Sequence, residues 1–128
     1  MIYLDSSAAL ARLLTEAQRP SASLWEQTLV SSRLLEYEVW NRLHAQQLGP
    51  FRGEDARALL DRVVLIELIP AVLARALEPF PIPVRTLDSL HLATIEFLRA
   101  PGETVELASY DKRLLAAARA LNVPICEL

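Results

Sequence analysis

MIYLDSSAAL, residues 1–10, joins a short apolar run to an Ala/Leu-rich stretch through one acid, Asp5. Met1–Leu4 has the length and composition of a buried strand. Ser6 to about Ala17 is rich in good helix formers and predicts a helix. The same strand–acid–helix pattern returns in VELASYDKRLLAAA, residues 105–118. There Val105–Ser109 predicts a strand, Asp111 follows it, and Lys112–Leu121 predicts a helix. In a parallel sheet such junctions fall along one edge, where α/β proteins build their sites. Asp5 and Asp111 are therefore expected on a common edge, although far apart in sequence.

Between these two units, strands and helices keep alternating. Ser21–Gln27 predicts a short helix and Leu29–Ser31 a strand. Arg33–Leu48 is a long helical pattern stopped by Gly49-Pro50. Glu54–Val64 predicts a helix, Ile66–Ile69 a strand closed by Pro70, and Ala71–Glu78 a short helix. Pro79, Pro81 and Pro83 exclude helix and central strand. Leu87–Arg99 predicts a helix stopped by Pro101-Gly102, and Val123–Cys126 a last strand. This order predicts a single domain over residues 1–128, an α/β/α sandwich of three layers with a mainly parallel central sheet.

The composition narrows the function. The chain has 52% hydrophobic residues and only 3 Gly, enough material for a core and little for disorder. With 13 basic and 16 acidic residues the net charge is -3, so any grip on nucleic acid must come from local clusters. All the basic residues except Lys112 are Arg, which suits phosphate but also follows from a GC-rich genome. Cys126 stands alone, which excludes an intrachain disulfide, and is expected as a small core residue. No signal peptide and no membrane span of ~18 apolar residues can be read, so the cytoplasm is the expected compartment.

Two further acids carry a pattern. In TLDSLHLATI, residues 86–95, Asp88 aligns with Leu92 and Ile95 at i+4 and i+7, on an inward stripe. In SSRLLEYEVWN, residues 31–41, Glu38 follows Leu34 by four and Leu35 by three, while Glu36 lies roughly 200° round the helix. Each acid has an ordinary structural alternative. Asp5 and Asp111 can cap helices, Asp88 can face a helix N-terminus, and Glu38 can pair with Arg42. Spacing alone leaves Glu38 balanced between the two. Gathered together, four carboxylates would repel one another unless a divalent cation sat among them. Oxygen-only donors suit Mg²⁺ or Mn²⁺. His44 and His91 do not form a metal-spaced pair, and His91 reads as a structural histidine near the site. A cation held by carboxylates on a sheet edge points to phosphodiester or phosphoryl chemistry, and the missing phosphate-binding glycine loop disfavours nucleoside triphosphate hydrolysis.

With YLDSSAAL, SSRLLEYEVWN, TLDSLHLATI and ELASYDKRLLAAA in this order, the chain resembles a PIN domain, and within that group the VapC-type toxins of bacterial toxin–antitoxin pairs. The resemblance covers nearly the whole chain. It implies a PIN-like fold, Mg²⁺-dependent endoribonuclease activity on structured or ribosome-associated RNA, inhibition by an antitoxin protein, and a tendency to form a homodimer. Asp5 matches the first acid, Glu38 rather than Glu36 the second, Asp88 the third and Asp111 the fourth. Asp5 and Asp88 are implied as direct metal ligands, Glu38 and Asp111 as acting through water or a second ion. Ser109 matches a Ser or Thr near the metal, and Ser6 is a weaker candidate for the same surroundings. The chain departs from the family in a less basic surface and in the proline-rich PFPIP, residues 79–83.

Arg85, Lys112 and Arg113 lie near the acids in sequence and are candidates to place a phosphate, with plain surface charge as the alternative. Trp25 and Trp40, among the apolar helices between Ser21 and Val64, belong either to the core or to a partner interface. The competing function is a non-catalytic PIN-like module that binds RNA or protein. A phosphotransfer enzyme fits less well. Ser7 stands where a haloacid-type phosphatase needs its second Asp, and the early acidic pair of a receiver domain is missing.

Overall fold

Ile2, Tyr3 and Leu4 are all buried, and their alternation sends them into two different cores. Strands carry successive side chains to opposite faces, so a strand covered on both sides reads as continuously apolar. The computed structural model describes residues 1–128. Its strands are β1 (Ile2–Leu4), β2 (Leu29–Ser32), β3 (Val63–Ile66) and β4 (Glu106–Ala108). Its helices are α1 (Ser6–Leu13), α2 (Leu34–Ala45), α3 (Gly49–Asp61), α4 (Pro70–Ala76), α5 (Thr86–Arg99) and α6 (Lys112–Ala120), with a 3-10 turn at Ala22–Glu26.

The four strands form one parallel sheet in the order β3-β2-β1-β4. The register sets Ile2 beside Leu29 and Glu106, and Leu4 beside Ala108. Ile2, Leu4 and Leu29 pack against Ala8 and Leu13 of α1, Leu35, Val39 and Leu43 of α2, and Leu59 of α3. Tyr3, Val30 and Leu107 face Leu92 and Ile95 of α5 and Leu114 of α6. Helix α4 lies against α5. The expected three layers are present. No helix is long and apolar enough to cross a membrane.

Several boundaries differ from the sequence reading. Helix α1 stops at Leu13 rather than near Ala17, and α2 stops at Ala45 rather than Leu48. Gly49-Pro50 does more than stop α2, because it opens α3. Proline in the first turn lacks only an N–H that has no helical partner there. The third strand is Val63–Ile66, not Ile66–Ile69. The run from Val63 to Ile69 is almost continuously apolar and has no period to place the strand within it. The expected last strand, Val123–Cys126, reduces to one bridge between Ile125 and Leu107. Cys126 is half-buried and touches the core from its margin.

Candidate active site

The chain fills β1, β2 and β3 in one direction, then returns to place β4 on the free side of β1. Helices leaving the C-terminal ends of β1 and β4 therefore diverge and open a crevice, the usual place for a site in a parallel sheet. Asp5 follows β1 and Asp111 closes the loop after β4, so both stand at this crevice.

Asp5 is 5% exposed and accepts three hydrogen bonds on one oxygen, Oδ2. The donors are the Ser7 amide at 3.3 Å, the Ser7 hydroxyl at 2.6 Å and the Ser109 hydroxyl at 2.7 Å. The first is a helix cap, so the structural role and the site role coexist in one residue. The three donors leave Oδ1 without a protein partner. Asp111 divides its work in the same way. Its Oδ1 caps α6 by accepting from the amides of Arg113 and Leu114, while its Oδ2 lies 3.5 Å from Arg85.

Asp88 is 8% exposed, on the stripe of Leu92 and Ile95 as the spacing predicts. Burial holds its carboxyl above the ordinary carboxylate range, and the charges of Asp111 and Asp5 add to this. Arg85 works against the shift from 3.5 Å. One guanidinium thus sits against both Asp88 and Asp111. Lys112 and Arg113 are exposed, and neither side chain forms an ion pair with an acid.

Glu38 does not pair with Arg42. Its Oε1 is 2.6 Å from His91 Nε2, and its Oε2 accepts from the Ser6 hydroxyl at 3.4 Å. Glu36 instead meets Arg33 on the outer surface. His91 is fully buried, and its Nδ1 lies 2.7 Å from the Tyr3 hydroxyl, which itself accepts from the Ser32 amide. Burial alone would lower the imidazole pKa, but the Glu38 hydrogen bond and charge, with Asp5 and Asp88 behind them, raise it. The sequence reading made His91 a structural bystander. The structure makes it the residue that fixes Glu38.

Ser109 lies where the resemblance implies, in contact with Asp5. Ser6 reaches Glu38 rather than Asp5. Ser7 was missed as a site residue. Besides Asp5, its hydroxyl lies 3.2 Å from the Ser109 hydroxyl and accepts from the Tyr110 amide at 2.9 Å, tying the β1 and β4 junctions together. The signal for it is positional: an Asp side chain turns to the backbone two residues on, which brings Ser7 against Asp5.

The acids fall into two groups: Asp88 and Asp111 meet the same Arg85, while Asp5 and Glu38 are held by neighbouring serines at the start of α1, Ser7 and Ser6, and the charges of Glu38, Asp5 and Asp88 all act on His91. No three of the Asp, Glu, His and Cys side chains converge closely enough to form a finished cation cage. The donor set is still all-oxygen, two of its members are buried, and Arg85 is the one basic side chain in ionic contact with Asp88 and Asp111. Such a set fits a hard divalent cation in chemistry.

Comparison with known proteins identifies the family. The PIN domain family profile matches residues 2–120. Ribonuclease VapC35 of Mycobacterium tuberculosis is 30% identical over 131 residues, covering 98% of this chain and 95% of the relative. Ribonuclease VapC47 of the same species is 30% identical over 126 residues, covering 93% and 90%. Ribonuclease VapC46 is 32% identical over 127 residues, covering 97% and 95%. A profile match over residues 2–120 and relatives matched over 90–95% of their length place the chain in the PIN-domain family, in its VapC group.

Proposed function

We propose that this chain is a Mg²⁺-dependent endoribonuclease, the toxin of a toxin–antitoxin pair. What supports the reading is that Asp88 and Asp111 share Arg85, and that Asp5, Glu38 and Asp88 all act on His91, in a chain whose relatives are named ribonucleases. Asp5 and Asp88 are the residues to hold the cation, which would supply charge neutralisation at the phosphate and a nucleophile at neutral pH. Mn²⁺ would serve in its place.

The protein's own groups have separable tasks. Ser7 and Ser109 hold Asp5 by Oδ2 and keep Oδ1 directed to the crevice. His91 and Ser6 hold Glu38. Asp111 Oδ2, the oxygen not used for capping, is left to orient the attacking water. Arg85 guards the acids until the substrate's phosphate offers it a better partner. The expected test result is loss of RNA cleavage in Asp5→Asn with Mg²⁺ or Mn²⁺. Equal cleavage by the variant overturns the reading.

One observation favours the alternative, a non-catalytic PIN-like module: no three acids stand at ligand spacing. Adding Mn²⁺ separates the two readings. Ligand binding to the folded state raises thermal stability, and an unchanged melting temperature would favour the module.

The expected protein partners also lack direct support in the acids. Trp25 is 4% exposed and Trp40 stacks on His44. The exposed apolar side chains are instead Tyr37, Phe51 and, beside a groove of about 710 Å³ along the proline segment, Leu73 and Leu77. These supply apolar area for an antitoxin and for a second copy of the chain.

A further inference from the structure

The densest positive charge lies away from the acids. Arg12, Arg19, Arg52 and Arg62 line one cleft of about 680 Å³ between the end of α1 and the outer face of α3. All four are exposed, and none forms an ion pair. Asp55 is the only carboxylate lining the cleft. Four guanidiniums against one carboxylate leave the cleft with a net positive charge, and an anion between them lowers the cost of their repulsion.

Two of the four are already placed. The Arg12 guanidinium sits 4.7 Å from the centroid of the Trp25 ring, and Arg62 donates to the Trp25 carbonyl. Trp25 also lines the cleft, and its indole N–H has no hydrogen-bond partner. Arg19 and Arg52 have no recorded partner and are free to close on a ligand. Trp25 is itself buried, so its ring offers no platform for a base. Recognition here runs through phosphates, which Arg matches with its forked donors.

The location separates this cleft from the acids. Helix α1 starts beside Asp5, and Arg12 is in its last turn, about 10 Å along the axis at 1.5 Å per residue. Arg62 stands just before β3, at the opposite edge of the sheet. We propose that the arginine cleft is a phosphodiester-backbone exosite, gripping RNA at a second point while another part of the same molecule reaches the crevice. This rests on the ribonuclease reading. It also answers how a chain of net charge -3 holds a polyanion.

The test measures binding of a labelled, folded RNA to the full chain in EDTA across a salt series, for wild type and Arg19→Ala/Arg52→Ala. The expected result is at least a tenfold loss of affinity for the variant, with the log–log salt slope shallower by roughly 1.5. In Mn²⁺, a dinucleotide too short to span both sites is cut by the variant at the wild-type rate. Unchanged affinity and slope overturn the proposal, as does equal loss on the dinucleotide. A mononucleotide that binds wild type as tightly as the long RNA would make the cleft a small-phosphate site and overturn it. Polyglutamate bound there and not displaced by RNA would do the same in favour of an acidic protein partner. Wild-type cleavage of the folded RNA in Mn²⁺, run in parallel, keeps failure of the ribonuclease reading apart from failure of the exosite.

Discussion

His91 is buried and yet turns both ring nitrogens to partners, Nε2 to Glu38 and Nδ1 to the Tyr3 hydroxyl. Such outer partners orient the groups that do the chemistry, and losing one typically costs 10–100-fold in activity. His91→Gln is expected to lower kcat by about that factor with little change in KM. Rates on one RNA at several concentrations check this. The same residue sets a pH dependence. Its folded pKa is raised above 6.5, so its contribution to stability is complete below that value and is lost as pH rises through the folded value. Melting temperatures should fall across that range in wild type and stay flatter in His91→Gln. Asp88 has the opposite character, a carboxyl kept above its ordinary range by burial and by Asp111. Once ionised, above that raised value, it costs stability. Asp88→Asn should raise the melting temperature near pH 7 while abolishing cleavage, and the stability gain should vanish at acid pH, where Asp88 itself is neutral. At this scale the sequence was legible where an acid shared a stripe with apolar residues, as Asp88 does. Choosing Glu38 over Glu36 needed the family resemblance, because their difference lies in His91 and Arg33, partners that spacing does not show.

Three helices end the same way, and that shared ending explains where their boundaries were misread. After α1, α2 and α6 the chain passes through a positive-φ residue, Thr15 (φ 51), Gln47 (φ 58) and Asn122 (φ 58). In each case that residue and the next donate back to carbonyls of the last turn: Thr15 and Glu16 to Arg12 and Ala11, Gln47 and Leu48 to His44 and Leu43, Asn122 and Val123 to Arg119 and Ala118. This is the Schellman arrangement, in which glycine normally takes the left-handed position. Asn tolerates that conformation, whereas a β-branched residue is strained in it. Without glycine at the left-handed position, the sequence pattern carries α1 on to Ala17, and Gly49-Pro50 draws the expected end of α2 out to Leu48. Thr15→Gly is expected to stabilise the fold by about 1 kcal/mol, and Gln47→Gly by about half as much. Urea unfolding midpoints of the two variants give the comparison.

Across the whole molecule, the parallel sheet and its layers were legible because strands and helices alternate with clear apolar runs. The strand order was not, since periodicity says nothing about which strand lies beside which. That order decides the site. It places β4 against β1, so Asp5 and Ser109 touch across 104 residues of sequence. The proposed homodimer belongs to this scale too. Light scattering is expected to give twice the 14.3 kDa chain mass at micromolar concentration, and Leu77→Arg, at a residue 87% exposed, to shift it toward one. The late arrival of β4 has one more consequence, in time rather than in space. As the polypeptide is synthesised, Asp5, Glu38 and Asp88 all emerge before the strand that completes their crevice and before Asp111. A growing chain therefore holds no complete candidate site until the last quarter of the fold is being made.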